Sequence, residues 1–226
     1  MPVEVATLVL AAGAGRRWGG PKALARLGER TWLELAVERS RGAGCAPVVV
    51  VVGCRADEVR RSLAGRAAAA DPGTNHPPPT GPVADDIVWI ENPRWEQGRT
   101  GSIIVGLRAL PATAAGALLM PVDFPLVRTA TLRALCAGFA AAADPAARIT
   151  VPVHAGHRGH PIVLGRAVWA EVMALGRDAP LRAVVRQDPA RIVTVTVDDP
   201  GILRNVNTPE DLEAPSDRPP RNSRRR

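Results

Sequence analysis

The sequence predicts an α/β protein, a three-layer α/β/α sandwich built around a mostly parallel sheet. The chain has 226 residues, of which 46% are hydrophobic, and this is enough to cover a sheet on both faces within one domain. Apolar, β-branched runs alternate with helical patterns along the chain, as in proteins with parallel sheets. Residues 47–53 are almost entirely valine, which is typical of a strand buried on both faces.

The first half of the chain opens with a strand. Residues 6–12 (ATLVLAA) are apolar and are closed by Gly13, and residues 31–42 have the spacing of a helix. The valine strand at 47–53 follows, and then a second helix at 56–65. Residues 66–86 interrupt the pattern with alanine, proline and glycine, which predicts a long, partly disordered surface loop inserted into the domain.

The second half continues the alternation. Residues 116–123 (GALLMPVD) form a strand that ends in an acidic residue, and residues 129–143 form an alanine-rich helix. Pro209 can open a final helix at 208–213. The remaining strands are predicted at 87–91, 148–154, 160–165 and 191–197, and the remaining helices at 101–110, 166–175 and 179–187.

Charge is concentrated near the C-terminus. Residues 1–212 are predicted to form one domain, and residues 213–226 (EAPSDRPPRNSRRR) a basic, disordered tail with five arginines and two acids. The tail therefore carries +3 of the net charge of +7, and the body carries +4. Aromatic residues make up 3% of the chain and tyrosine is absent, so few side chains are available to stack on the bases of single-stranded nucleic acid. A solvated tail is favoured over nucleic-acid binding, and an RNA-binding domain stays the weaker alternative.

Targeting and redox features are few. No apolar run reaches the roughly 20 residues of a membrane span, and the first residues lack the basic region of a secretory signal. Cys45, Cys54 and Cys136 are scattered without a CxxC pair, which indicates reduced, structural thiols. These features predict a cytoplasmic protein without a membrane partner.

A glycine-rich loop follows the first strand. Within residues 10–22 (LAAGAGRRWGGPK), glycines allow backbone N–H groups to surround a phosphate chain, and Arg16, Arg17 and Lys22 add positive charge. Lys22 is the one lysine among 29 basic residues, which indicates a position where the wider arginine fork does not serve. The loop matches neither the dinucleotide fingerprint nor the Walker A motif, because residue 18 is Trp and Lys22 follows Pro21.

A magnesium site is predicted beside this loop. Asp123 ends an apolar strand, and ligands of open α/β sheets bind at the carboxyl ends of strands. Mg²⁺ prefers one or two carboxylates together with phosphate oxygens. Asn207 or Asn205 is expected to complete the metal shell opposite Asp123, although Asn207-Thr208-Pro209 also reads as an ordinary helix start.

Two further segments are weaker candidates. One is residues 92–103, after the third strand. The other contains His154, His157 and His160, whose spacing with no neighbouring cysteine favours a substrate-facing loop over a zinc site.

Taken together, these motifs resemble the MobA/MocA-like nucleotidyltransferases. Residues 10–22 are similar to that family's LAAGxGxRxGxPK pattern, and residues 92–107 to its NPxWxxGxxSSIxxGL stretch. Residues 121–125 resemble its (V/G)DxP motif, 159–161 its GHP motif and 205–212 its (D/N)x(D/N)TPEDL motif. The matches keep the family order and extend to about residue 212. The GHP and NPxW motifs look more like the cytidylyltransferase branch than the guanylyltransferase branch, so CTP is favoured over GTP.

The resemblance implies a Rossmann-like fold of the nucleotide-diphospho-sugar transferase type and a reaction in which an acceptor phosphate attacks the α-phosphorus of an NTP. It implies catalytic roles for Lys22, Arg17 and Asp123, and Mg²⁺ at Asp123 with Asn207 or Asn205. It implies acceptor contacts, to a molybdopterin-type molecule, at Gly159, His160 and Pro161, with a molybdoenzyme as a further partner. The implied nucleotide-binding residues are Leu10, Ala11, Ala12, Gly13, Ala14, Gly15, Arg16, Lys22, Asn92 and Ser102.

The chain departs from the family pattern at four positions. Trp18 stands where Met is frequent, Gly101 replaces a serine, and Asn205 and Asn207 stand where cytidylyltransferases often carry Asp. The asparagines remove negative charge from the expected metal site. Two other functions stay open: a nucleotidyltransferase for another phosphate acceptor, such as a sugar phosphate or phospholactate, and a non-catalytic carrier that serves a molybdoenzyme.

Overall fold

The fold is that of an α/β protein with a mostly parallel central sheet. The computed structural model describes residues 3–64 and 87–213. The predicted loop at 66–86 and all but the first residue of the predicted tail lie outside the described residues. The strands are β1 Val5–Ala11, β2 Arg26–Leu27, β3 Arg30–Thr31, β4 Val48–Val52, β5 Ile87–Glu91, β6 Gly116–Pro121, β7 Ile149–His154, β8 His157–Arg158, β9 Ile162–Gly165 and β10 Ile192–Thr196.

Helices cover the sheet on both faces. They are α1 Trp32–Gly42, α2 Ala56–Ala64, α3 Arg99–Ala109, α4 Thr129–Ala140, α5 Val168–Ala174, α6 Arg182–Gln187 and α7 Pro209–Glu213. Thr31 begins α1 with a capping box, in which its side chain accepts a hydrogen bond from the Glu34 amide while the Glu34 carboxylate accepts one from the Thr31 amide. Short 3₁₀ turns complete the connections, among them Lys22–Leu24 directly after the glycine-rich loop.

The strand order is β10-β7-β9-β6-β1-β4-β5, with β8 paired to β7 and β2 paired to β3 in a separate hairpin. β9 runs antiparallel to both of its neighbours, and the other pairs along this path are parallel. The chain leaves β1 towards β4 and later returns to β6 on the other side of β1. The crevice outside the carboxyl ends of β1 and β6 is therefore the topological switch point, where ligands of such sheets bind.

The valine run of β4 is explained by burial on two faces. Val48, Val50 and Val52 pack in one cluster with residues of α1 and α4, such as Leu33 and Leu132. Val49 and Val51 pack in a second cluster with residues of α3 such as Ile103. Side chains alternate between the two faces of a strand, so each face of β4 needs its own apolar residues.

Several predicted boundaries differ from the structure. The strand predicted at 116–123 ends at Pro121, so Asp123 lies in the turn that follows, where the Phe124 amide donates to the Pro121 carbonyl. The strand predicted at 160–165 begins at Ile162, because Pro161 has no amide hydrogen for the ladder. The helix predicted at 101–110 begins earlier, at Arg99, after Gly98 with a φ of 120°. The helices predicted at 129–143, 166–175 and 179–187 are each shorter in the structure.

Candidate active site

A cavity of about 330 Å³ opens at the switch point. Four segments form it: the end of β1 with the following loop, the start of α3, the end of β6, and the stretch before α7. The residues that line it are Leu10, Ala12, Gly13, Gly15, Arg16, Arg17, Lys22, Trp95, Gly98, Arg99, Ser102, Pro121, Val122, Asp123 and Asn207. Four cationic side chains and one carboxylate thus line the same cavity, and this charge balance suits a polyphosphate ligand.

The glycine-rich loop folds back on itself. Gly15 has a φ of +58°, and a Cβ atom there would collide with the carbonyl oxygen of Gly20, so glycine is required at this position. The amides of Trp18 and Gly20 both donate to the Gly15 carbonyl. The Trp18 ring lies 4.6 Å from the Trp32 ring, between centroids, and this contact attaches the loop to the body of the domain.

Lys22 is held in a fixed position inside the cavity. Its Nζ donates to the Val206 carbonyl at 2.6 Å and to Oδ1 of Asn207 at 2.9 Å, and it lies 3.9 Å from Oδ2 of Asp123. Its side chain is 13% exposed. Burial lowers the pKa of Lys22, and the Asp123 carboxylate partly opposes this by raising it.

Asp123 is the carboxylate of the cavity, and its side chain is 9% exposed. Nη2 of Arg99 lies 3.1 Å from the same Oδ2 atom that faces Lys22. The backbone carbonyl of Asp123 accepts a hydrogen bond from the Val206 amide at 2.9 Å. The turn after β6 is therefore joined directly to the C-terminal segment.

Asn207 reaches the cavity, and Asn205 does not line it. Oδ1 of Asn207 accepts hydrogen bonds from Lys22 and from Nη2 of Arg17 at 3.0 Å. Its Nδ2 donates to Oδ1 of Asn205, so Asn205 stands behind Asn207 and orients its amide. Oδ2 of Asp211 accepts from the amides of Asn207 and Thr208 at the start of α7.

The residues present fit a hard divalent cation shared with a substrate. Asp123 and Asn207 offer a carboxylate oxygen and an amide oxygen near Lys22, and oxygen atoms of this kind suit Mg²⁺ together with phosphate oxygens. Over residues 3–64 and 87–213, no cluster of three or more His, Cys, Asp or Glu side chains is placed to hold a metal by itself. The three loop histidines accordingly form no such cluster with neighbouring ligands.

Asn92 and Ser102 form a buried pair. Nδ2 of Asn92 donates to Oγ of Ser102 at 3.0 Å, and Oδ1 of Asn92 accepts from the Arg94 amide. Ser102 lines the cavity while Asn92 lies behind it, 1% exposed. Asn92 thus binds the hydroxyl oxygen of Ser102, and this bond does not use the hydroxyl proton.

The Gly159-His160-Pro161 segment lies beside the cavity and does not line it. The His160 ring packs 4.9 Å from the Phe124 ring, between centroids, and its amide donates to the Ile202 carbonyl. A Cβ atom at Gly159 would collide with that same carbonyl. Burial lowers the pKa of His160, and the nearby Arg99 guanidinium lowers it further. Ala11 and Ala14 also belong to the loop region without lining the cavity.

Five cavity-lining residues were not among the site residues predicted from the sequence: Trp95, Gly98, Arg99, Pro121 and Val122. Trp95 and Arg99 line the cavity, and Arg99 contacts Asp123 directly. Both fall within the segment 92–103 that the sequence singled out, so the signal was present at the level of the segment. The contact between Arg99 and Asp123 joins the start of α3 to the turn after β6. No local sequence pattern predicts that these two segments meet.

No helix in residues 3–64 and 87–213 combines the length and the apolar character that crossing a membrane requires.

Solved structures with the same fold cover nearly the whole chain. A homologue of Mycobacterium tuberculosis rv0371c from Mycobacterium sp. strain JC1 is 26% identical, with a TM-score of 0.71 over 94% of this chain and 95% of that one. Rv0371C of Mycobacterium tuberculosis H37Rv, in a structure described as a complex with manganese, is 26% identical, with a TM-score of 0.67 over 93% and 96% of the two chains. A nucleotidyl transferase from Methanothermobacter shares the fold at 24% identity and a TM-score of 0.71.

Among curated proteins, the chain is 29% identical to nicotine blue oxidoreductase of Paenarthrobacter nicotinovorans, over 92% of this chain and 94% of that protein. It is 33% identical to the bifunctional protein GlmU of Kineococcus radiotolerans, over 66% of this chain. The chain spans about a quarter of the length of the GlmU proteins it matches. The model of the MobA-like NTP transferase domain matches residues 7–192, which is most of the chain. The protein therefore belongs to the family of MobA-like NTP transferases.

Proposed function

We propose that this protein is a Mg²⁺-dependent nucleotidyltransferase. It moves a nucleoside monophosphate from an NTP, with CTP favoured over GTP, to the terminal phosphate of a molybdopterin-type acceptor and releases pyrophosphate. The observation that carries the proposal is the cavity at the switch point, which is lined by one carboxylate, Asp123, and by four cationic side chains, Arg16, Arg17, Lys22 and Arg99. Such a cavity binds a triphosphate and neutralises charge without a covalent nucleophile.

The glycine-rich loop is proposed to bind the nucleotide. Residues 10–15 follow β1 directly, and Gly13 and Gly15 line the cavity with their backbone. Arg16 is exposed at the mouth, where it meets an incoming phosphate chain early. Ser102, oriented by Asn92, supplies a hydroxyl donor from the start of α3.

Lys22 and Arg17 are proposed to stabilise the charge that grows on the α-phosphate and the leaving pyrophosphate. Both donate to Oδ1 of Asn207, so their nitrogens converge on one point of the cavity. A buried lysine with two hydrogen bonds to the protein needs little reorganisation when the ligand binds. Such preorganisation is the condition for electrostatic stabilisation of a transition state.

Asp123 and Asn207 are proposed to hold the divalent cation, with Asn205 as support behind Asn207. When bound, Mg²⁺ supplies positive charge to phosphate oxygens as a Lewis acid. The manganese complex described for a relative of 26% identity supports a divalent cation in this fold. Gly159, His160 and Pro161 are proposed to support the acceptor side through Phe124, which follows Asp123 in the chain.

The acceptor rests on the motifs alone, so other acceptors are tested beside it. A sugar phosphate or phospholactate uses the same cavity and the same residues. A second function is favoured by one observation, the near full-length similarity to a protein named nicotine blue oxidoreductase. Oxidoreductase activity on nicotine blue is therefore measured in parallel.

The experiment measures pyrophosphate release with Mg²⁺ and CTP, GTP, ATP or UTP, each with and without molybdopterin, a hexose 1-phosphate or phospholactate. We expect release with CTP and molybdopterin together. Pyrophosphate release with another acceptor alone would correct the proposed acceptor and leave the proposed reaction type unchanged. If the protein is folded and binds NTP but releases no pyrophosphate, the non-catalytic carrier that serves a molybdoenzyme is favoured. Activity on nicotine blue would favour the oxidoreductase.

A further inference from the structure

The carboxylate expected to bind a metal already contacts two protein cations. Oδ2 of Asp123 lies 3.1 Å from Nη2 of Arg99 and 3.9 Å from Nζ of Lys22. A divalent cation that uses this oxygen has to compete with at least one of them. The question is which of the two cations gives way.

The two cations are held very differently. Lys22 is 13% exposed and has two further hydrogen bonds, to the Val206 carbonyl and to Oδ1 of Asn207. The Arg99 side chain is 56% exposed, and Asp123 is the one hydrogen-bond partner found for it in residues 3–64 and 87–213. Breaking the Arg99 contact therefore costs a single ion pair at the edge of solvent, and such pairs are weak.

The position of Arg99 in its helix points the same way. Arg99 is the first residue of α3, where the positive end of the helix dipole repels a cation. Its attraction to Asp123 is therefore not reinforced by its own helix. An anion entering the cavity next to this helix start gains both from the guanidinium and from the helix end.

We infer that Arg99 is a substrate-binding residue that exchanges partners. It holds Asp123 in the empty site, competes there with the divalent cation, and binds a phosphate group when metal and nucleotide enter. The planar guanidinium suits phosphate, because it donates two parallel hydrogen bonds. This inference rests on the proposed function for the identity of the ligands, and its two effects have opposite signs.

The first measurement is the affinity for Mn²⁺ in the absence of nucleotide. The electron paramagnetic resonance signal of the free ion reports how much Mn²⁺ is unbound. Removal of the competing cation in Arg99→Gln should tighten Mn²⁺ binding by about twofold to fivefold, as expected for an ion pair in which the arginine is solvent-exposed. Arg99→Lys keeps a charge that reaches Asp123 and should stay close to wild type. Asp123→Asn should remove the binding in every background.

The second measurement is the affinity for inorganic tripolyphosphate in the presence of EDTA, by calorimetry. Arg99→Gln should weaken it by about tenfold, as expected for one hydrogen bond to a charged group. Arg99→Lys should weaken it less, since it keeps the charge and loses the fork. If Arg99→Gln binds Mn²⁺ more tightly and tripolyphosphate more weakly than the wild type, a purely structural role of Arg99 does not explain the result.

A matched control separates contact from net charge. Arg16→Gln removes one positive charge from the same cavity, but Arg16 is 83% exposed and lies near Glu96 instead of Asp123. Its Mn²⁺ affinity should change by less than that of Arg99→Gln, because solvent screens the longer interaction.

Equal Mn²⁺ affinity in wild type and Arg99→Gln, with both folded by circular dichroism, would overturn the competition. Unchanged tripolyphosphate affinity would overturn the exchange to phosphate. Failure of the proposed function looks different: both shifts in Arg99→Gln would be present, while the wild type released no pyrophosphate with any nucleotide and acceptor.

Discussion

Nζ of Lys22 donates a 2.9 Å hydrogen bond to Oδ1 of Asn207, a residue 185 positions further along the chain. The same lysine donates to the Val206 carbonyl, and the Val206 amide donates to the carbonyl of Asp123. The stretch before α7 therefore connects the glycine-rich loop after β1 with the turn after β6. Three separate parts of the sequence are fixed together at one cavity.

Lys22→Ala should lower kcat for pyrophosphate release by about 10²-fold to 10³-fold, as the loss of a single charge-stabilising donor does. Lys22→Arg should not restore activity, because the slot between Val206 and Asn207 accepts a compact ammonium group and not a planar fork. Steady-state kinetics at saturating NTP checks both variants. Arg26→Ala is the control, since Arg26 is exposed and bonds to the Glu29 carbonyl outside the cavity. A kcat of Lys22→Ala equal to that of the control would remove Lys22 from the mechanism.

Asp123→Asn should abolish Mg²⁺-dependent turnover and leave the fold intact. The amide keeps the size of the side chain, and the backbone bond from Val206 to residue 123 does not depend on the carboxylate. A Mg²⁺ titration of activity, together with thermal unfolding, is the measurement. Turnover that survives with the Mg²⁺ dependence of the wild type would contradict the metal assignment.

His160 should make stability fall on acidification. Its pKa in the folded protein is lowered, mainly by burial, from a value of 6.5. The unfolded chain then binds more protons than the folded one below about pH 6.5, so the free energy of unfolding decreases as the pH falls through this range. Chemical denaturation at pH 7.5 and pH 5.5 measures this slope. His160→Gln should reduce the slope, whereas His157→Gln, at an exposed position, should retain it. Equal slopes in all three proteins would refute the prediction.

Cys45 and Cys136 should form a disulfide on mild oxidation. Their Sγ atoms lie 3.1 Å apart, and a hydrogen bond from Cys136 lowers the pKa of Cys45, which favours its thiolate. Because Cys45 is buried, the oxidant is the small molecule hydrogen peroxide. It accepts the two electrons: the Cys45 thiolate becomes a sulfenic acid with release of hydroxide, and the Cys136 thiol then condenses with it to form the disulfide and water. Mass spectrometry of tryptic peptides should show the 45–136 link. Cys54→Ser should leave it unchanged and Cys136→Ser should abolish it, and a link that involves Cys54 instead would contradict the placement.

Much of the architecture was predictable from local patterns. The valine run of β4 and the apolar run of β1 mark buried strands because both faces of a parallel sheet must be apolar. The glycine-rich loop and Lys22 are adjacent in sequence, so the sequence could assign them to one site. The predicted element boundaries were wrong where backbone chemistry determines them. Pro161 cannot donate to the sheet, so β9 begins at Ile162, and the positive φ of Gly98 lets α3 begin at Arg99.

The sequence by itself determined the α/β class, the order of most elements and the segments that carry the cavity, since these depend on the periodicity and residue types of short windows. Only the tertiary structure decided which side chains meet. Arg99 faces Asp123, Asn207 reaches Lys22 while Asn205 stands behind it, and His160 packs on Phe124 beside the cavity. Apart from the contact between Asn205 and Asn207, each of these contacts joins segments far apart in the chain. They depend on the strand order that places β6 next to β1, which no local window of sequence encodes.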